Sequence, residues 1–560
     1  MSYPKFFLLI SFSIFFLFSC SNLGEKKEPS VIPVATASLH DQVTEEIKRL
    51  IDLAQKNGGK INDSVSLAFP ALADSVYGKK NYESIWTRNQ QWMPVADSLM
   101  AFVGRSKEYG LFPLDYHYSS ISFIQRVFQA DTNTKKNAAL WARSELLLSD
   151  AFFLLVKDLK QGRLAYDSVT LRKDTILPAS LFISTFETAV ESGNLESSLQ
   201  GLEPKYRGYD SLKAYIKEFL TKANFTPYTY LVYPYKDSVA FFQLLQKRLQ
   251  ELGVIPQSQQ PLNLDTFAIR RYVKKYQLTV GLKPSGRPSD ELLDNLNNTD
   301  WEKFKKIAVN LDRYKLLPDT LPSPSVWVNL PSFNLQVRDH DTLVFQSRII
   351  VGGPQTRTPL LTSEISNFIT FPQWTVPYSI IFKEMLPKIQ KDTQFLVKEN
   401  LLVVDPENDS VLSPSRINWK KLNKHHFPYL LKQKQGDENS LGVIKFNFKN
   451  KYDVYMHDTN VRWMFDKAFR ALSHGCVRIK DWQKMANYLI RSDTAKYKPD
   501  SLKAWIARQE KHTVYGFQKL PIYIRYFTCD GRDGRIKFYA DIYEEDRYLR
   551  EKYFADKSVQ

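Results

Sequence analysis

Residues 457 to 478 read H-D-T-N-V-R-W-M-F-D-K-A-F-R-A-L-S-H-G-C-V-R and hold a thiol, two imidazoles and a guanidinium within one short stretch. Cys476 follows His474 by two positions and His457 by nineteen, and Arg478 comes two positions after it. A cysteine thiol is mostly protonated at neutral pH, so one used as a nucleophile needs a nearby imidazole to take its proton. The alternation in K-Y-D-V-Y-M (451 to 456) predicts a strand ending at His457, with S-H-G-C turning opposite it after an amphipathic stretch. Gly475 permits a tight turn whose amides point at a developing oxyanion. Taken singly, a free cysteine is a small buried residue and a lone histidine a structural one. Neither reading accounts for a Ser-His-Gly-Cys-x-Arg cluster with a second histidine upstream.

The pair H-D-T (457 to 459) and S-H-G-C-V-R (473 to 478) resembles the signature of L,D-transpeptidases of the YkuD type. The resemblance implies that Cys476 is the nucleophile and His457 the base that later returns the proton. By the same likeness His474 and Gly475, with Cys476, shape an oxyanion hole, and Ser473 and Arg478 face substrate. A guanidinium is a planar fork suited to a carboxylate; a structural salt bridge is the alternative for Arg478. The implied reaction releases D-alanine from a peptidoglycan tetrapeptide through a cysteine thioester, then joins two stems by a 3-3 cross-link. Water as acceptor would make an L,D-carboxypeptidase, and a protein amine would make a wall-attachment enzyme. A non-catalytic peptidoglycan-binding lipoprotein is the alternative of another class, disfavoured by the presence of Cys476, His457, His474 and Arg478. Carbapenems are expected to acylate Cys476 as donor mimics. No cofactor is implied, and the adjacent His425 and His426 have no carboxylate or cysteine set beside them to make a metal site.

The rest of the chain has to carry and aim this stretch. Its 560 residues, 43% hydrophobic and 24% charged, suffice for several cores. Residues 6 to 18 form an apolar run after a short basic start, too short for a comfortable membrane span. Followed by Cys20, that run resembles a lipoprotein signal (1 to 20), with lipid on the Cys20 sulfur; an uncleaved anchor is the alternative. Either places the body outside the cytoplasm, in the cell envelope, on the periplasmic side of a bacterial membrane. The net charge of +17 then points to anionic wall or membrane surfaces and not to nucleic acid, with a scattered solubilising charge as the plainer reading. Of three cysteines, Cys20 would take lipid, which leaves Cys476 and Cys529 and no disulfide framework. Cys529 ends the run I-Y-I-R-Y-F-T and reads as structural.

The expected architecture is multidomain. A polar tether (21 to 40) leads to a mainly α-helical scaffold (41 to 230), where N-Y-E-S-I-W, Y-G-L-F-P-L-D-Y-H and D-A-F-F-L-L-V-K-D-L-K-Q-G-R resemble the N-terminal part of large L,D-transpeptidases. His117 in that part reads as a core or surface residue. Three helical periods between 236 and 300 predict a small bundle resembling a peptidoglycan-binding module, although P-S-G-R-P-S-D has only Gly286 where that family's loop has two glycines. An amphipathic linker helix (301 to 320) precedes a mainly β catalytic domain (324 to 546) carrying a lid insertion at about 380 to 435. The strands 520 to 528 and 535 to 543 are expected to complete its sheet, and the charged tail from 544 to be peripheral. Other cell-wall enzymes are conceivable partners.

Overall fold

The structure is a computed structural model that describes residues 38–164, 176–256, 264–340, 342–492, 497 and 500–554. The expected signal, Cys20 and most of the tether lie outside the described residues. Among the described residues no helix is long and apolar enough to cross a membrane.

Nine strands form the sheet that carries the reactive stretch: β1 Ser325–Asn329, β2 Asn334–Asp339, β3 Thr342–Gly352, β4 Leu361–Thr370, β5 Ile444–Phe448, β6 Met456–His457, β7 Ala471–Ser473, β8 Val477–Ile479 and β9 Thr513–Arg525. Their spatial order is β7-β3-β8-β6-β5-β4-β9-β1-β2, and β2 also pairs with β3, so the hydrogen-bonded circuit closes. Alternate residues, among them Val326, Val328, Leu335, Val337, Ile365, Phe446, Met456, Val477 and Ile524, point inward and form one buried core. β6 is only two residues long, because Tyr452 to Asp453 is held in a turn by the Asn450 side chain.

The insertion is a folded unit of its own. Trp374–Thr375, Leu401–Val404, Val411–Leu412 and Leu430–Gln433 make a four-stranded antiparallel sheet, with a separate core of Ile381, Leu386, Ile389, Leu396, Val403, Trp419 and Leu431. It therefore begins a few residues before 380. Tyr378–Ile380, Ile381–Met385 and Leu386–Lys391 run on as a helix whose middle turn is of the π type.

The scaffold centres on the helix Ala138–Lys160, which is buried on nearly every side. Its inward Glu145 is satisfied by Tyr77 Oη at 2.8 Å, Ile85 N at 2.8 Å and Thr87 Oγ1 at 2.6 Å, as a buried carboxylate must be. His117 is likewise structural: its Nε2 meets Asp150 Oδ2 at 2.8 Å. Helices Ser238–Glu251, Thr266–Thr279 and Asp290–Asn297 form the small bundle, packed through Leu245, Leu249, Val273 and Leu292.

Three expectations are corrected. The helix Asp300–Lys315 does join the small bundle to the β domain, but it is a central strut and not a helix with a solvated polar face: Lys315 pairs with Asp312 at 2.9 Å and Lys305 with Glu302 at 3.1 Å. Arg535–Phe538 does not join the main sheet. It pairs with Cys529–Arg532 in a two-stranded ribbon packed on the scaffold helix Arg207–Lys222. The tail is not peripheral, for Glu545–Tyr553 is a helix whose Asp546 pairs with Arg313 at 2.6 Å and whose Arg550 pairs with Glu302 at 2.8 Å, and Phe554 is fully buried. Phe112, Leu212, Trp301, Phe304, Phe527, Cys529 and Phe554 share one core, which ties scaffold, strut and nine-stranded sheet together.

Candidate active site

The site is a consequence of register. β6 runs parallel to β8, with Met456 opposite Val477 and His457 opposite Arg478, while β5 runs antiparallel to β6 with Lys445 opposite His457. Phe446, Met456 and Val477 turn into the core. Side chains alternate along a strand, so Lys445, Tyr455, His457, Cys476 and Arg478 share the opposite face. The sequence-predicted His457, Cys476 and Arg478 are thus brought together, with Tyr455 and Lys445 between and beside them.

Donors converge on the thiol. The Tyr455 hydroxyl donates to Cys476 Sγ and itself receives from Trp374 of the insertion. Lys445 Nζ lies 4.0 Å from the Tyr455 ring centre, and the Tyr455 and His457 rings are 5.6 Å apart. Burial pushes the Cys476 thiol above its ordinary value, only partly countered by Tyr455, Lys445 and Arg478. His457 is depressed to about 3, first by burial and then by the charge of Arg478. Burial therefore favours a neutral thiol and a neutral imidazole over an ion pair. His457 Nδ1 and Arg478 Nε are buried without a hydrogen-bond partner among the described residues. Arg478 reaches only Met464 Sδ, at 3.8 Å, and no carboxylate pairs with it among the described residues.

The turn before the thiol is held from behind. Ser473 Oγ donates to Cys476 O at 2.7 Å and accepts from Gly475 N at 3.2 Å. Gly475 has φ +123°, a conformation that side chains rarely adopt. The loop 353–358 braces it: Thr356 Oγ1 donates to Ser473 O at 2.8 Å, and Thr358 Oγ1 donates to Gly475 O at 2.7 Å while accepting from Gly352 N at 2.8 Å. A Cβ on Gly352 would stand 2.0 Å from Thr356 O, so that loop needs its glycine. Asp458, fully buried behind His457, accepts from Val443 N at 3.1 Å and pairs with Arg462.

Residues 323–496 match the family model described as the L,D-transpeptidase catalytic domain, YkuD, and residues 71–216 match one described as a scaffold domain. Residues 323–496 are thus similar to the L,D-transpeptidase catalytic domain of the YkuD family. A Haemophilus influenzae protein with the provisional name L,D-transpeptidase is 32% identical over 254 residues, 44% of this chain and 49% of that protein. The chain thus spans about half the length of the curated relative it matches. The Ldtfm–avibactam carbamoyl enzyme and an Enterococcus faecium L,D-transpeptidase with cysteine changed to serine align at 11% identity and a TM-score of 0.17, over 49% of this chain and 86% and 88% of theirs.

Within the matched residues, His474 is the predicted residue whose ring leaves the cluster. It is about half exposed, and its Nε2 meets Glu384 Oε1 of the insertion at 2.6 Å. Four residues of this cluster and its surroundings were not singled out from sequence. Tyr455 was findable, since it lies two positions before His457 on one strand face. Lys445, Thr358 and Glu384 carried no signal, because register, a loop and an insertion respectively bring them in. Cys529 is free and fully buried in the core between strut and ribbon, apart from Cys476, which is also free.

Proposed function

We propose that this protein is a peptidoglycan L,D-transpeptidase that makes 3-3 cross-links through a thioester on Cys476. The observation that carries the reading is the single sheet face on which a donor-held thiol, a neutral imidazole with an unpartnered nitrogen and an unneutralised guanidinium stand together.

His457, neutral across the physiological range, takes the Cys476 proton as Sγ attacks the carbonyl joining the third stem residue to D-alanine. As negative charge leaves the sulfur for the carbonyl oxygen, backbone amides of the 473–476 turn receive it; one such donor contributes roughly 3 kcal/mol. The C–N bond breaks, His457 returns the proton to the departing D-alanine amine, and the acyl group remains on sulfur. The amine of a second stem's third residue then attacks, its proton passes to His457, and the C–S bond breaks to restore the thiol. Arg478 and Lys445 hold the D-alanine carboxylate in the donor complex, the class of anion their uncompensated charge suits. A wall substrate requires a protein outside the cytoplasm, and the apolar run 6 to 18 followed by Cys20 supports that address.

The test is mass spectrometry of the full chain incubated with disaccharide-tetrapeptide, beside Cys476→Ala. A dimer lacking one D-alanine, absent with Cys476→Ala, supports cross-linking. Tripeptide monomer alone moves the reading to L,D-carboxypeptidase, and unchanged substrate with retained binding moves it to a wall-binding protein.

A further inference from the structure

We propose that Glu384 is a positioning residue through which the insertion sets the oxyanion turn; this rests on the transfer chemistry proposed for Cys476. The insertion reaches the catalytic face at two points that flank the thiol. On one side Trp374 donates to Tyr455, which donates to Cys476 Sγ. On the other, Glu384 Oε1 meets His474 Nε2 at 2.6 Å, joining residues ninety positions apart in sequence. Loop 353–358 holds the carbonyls of Ser473 and Gly475 from behind, and Glu384 is what holds the turn from the front.

Glu384 sits in the π turn Ile381–Met385, a distortion that shifts side chains relative to a regular helix and recurs at functional sites. Ile381 and Leu386 on either side of it are buried in the insertion core, so the helix cannot rotate to release Glu384 without exposing them. Its carboxylate accepts from Nε2–H, which fixes the tautomer of His474 and pins the backbone from which the oxyanion donors project. The pair is half exposed, so its weight lies in alignment and not in stability.

The experiment compares wild type, Glu384→Ala and Glu384→Gln in the full chain by four readouts. These are turnover of disaccharide-tetrapeptide, acylation of Cys476 by a p-nitrophenyl ester, alkylation of Cys476 by iodoacetamide, and Tm. Ester acylation passes through an oxyanion and alkylation does not. The inference expects Glu384→Ala to lose about tenfold in ester acylation and in kcat, with KM, alkylation rate and Tm near wild type. Glu384→Gln, whose amide oxygen still accepts from Nε2–H, should stay within about threefold of wild type. Ester acylation unchanged in Glu384→Ala overturns the inference, as does an equal loss in alkylation, which would mark general disorder. Wild type that acylates with ester but ignores tetrapeptide refutes the peptidoglycan reading alone, and the ester comparison still decides Glu384.

Discussion

Replacing Tyr455 with phenylalanine isolates one hydroxyl. The ring that packs 5.6 Å from His457 and under Lys445 Nζ at 4.0 Å is kept, while the one side-chain donor to Cys476 Sγ is removed. That donor favours the thiolate over the thiol, so its loss pushes an already raised thiol further up. A hydrogen bond to a charged group contributes about 1.5 to 3 kcal/mol, and each 1.4 kcal/mol is about a factor of ten in thiolate population. Alkylation of Cys476 by iodoacetamide at pH 7.5 should therefore slow by about ten- to hundredfold in Tyr455→Phe. The assay is intact-mass measurement of alkylation over time at several pH values. In wild type the rate should still be climbing at pH 9, the ordinary thiol value, because burial outweighs the donors. Equal rates for the two proteins at every pH, or a wild-type rate that levels off near pH 6, would refute the argument that Tyr455 is what eases ionisation of a buried neutral thiol.

His457→Asn should lower kcat by about a hundredfold or more, measured on disaccharide-tetrapeptide. Because His457 is depressed to about 3 from 6.5, the unfolded chain binds a proton that the folded chain refuses between those values. Stability should fall by up to about 1.4 kcal/mol per pH unit on acidification through that window, and a Tm–pH series should show the slope flattened in His457→Asn. Thr358→Val removes bonds to Gly475 O and Gly352 N; a loss of about 2 to 3 kcal/mol is expected in urea unfolding, with slower ester acylation. Truncation after Glu544 takes Asp546 from the half-buried Arg313 and Arg550 from Glu302, which keeps Lys305, and should cost about 3 kcal/mol or more, read from the same unfolding curves. Cys529→Ala should leave turnover within about twofold and cost about 1 kcal/mol, and non-reduced peptide mapping should find no Cys476–Cys529 bridge.

The catalytic face was legible because its signals are local. A two-residue period places His457 at a strand end, and the glycine at 475 marks the turn before Cys476. The three helices between 238 and 297 were legible for the same reason, since each buries one stripe such as Leu245 and Leu249. What sequence could not reveal depends on long-range pairing. Helix Asp300–Lys315 looks amphipathic until Asp312 and Lys315 are found paired inside. The tail looks solvated until Arg550 and Asp546 find Glu302 and Arg313, more than two hundred residues earlier. Lys445 enters the site only through its register against His457, and Glu384 only because the insertion folds over the turn. The Cys476–His457 pair was expected as a thiol and its base; the structure adds that burial favours the neutral form of both, reinforced at His457 and partly opposed at Cys476 by the charge of Arg478.

The central claim, a thioester on Cys476, is tested most directly by intact-mass spectrometry of the full chain quenched in acid soon after mixing with disaccharide-tetrapeptide. The account predicts an adduct equal to the substrate less D-alanine, mapped by peptide sequencing to Cys476, sensitive to hydroxylamine and missing in Cys476→Ala. Cross-linked or trimmed product formed at the wild-type rate by Cys476→Ala, or an adduct mapped to another residue, would contradict it.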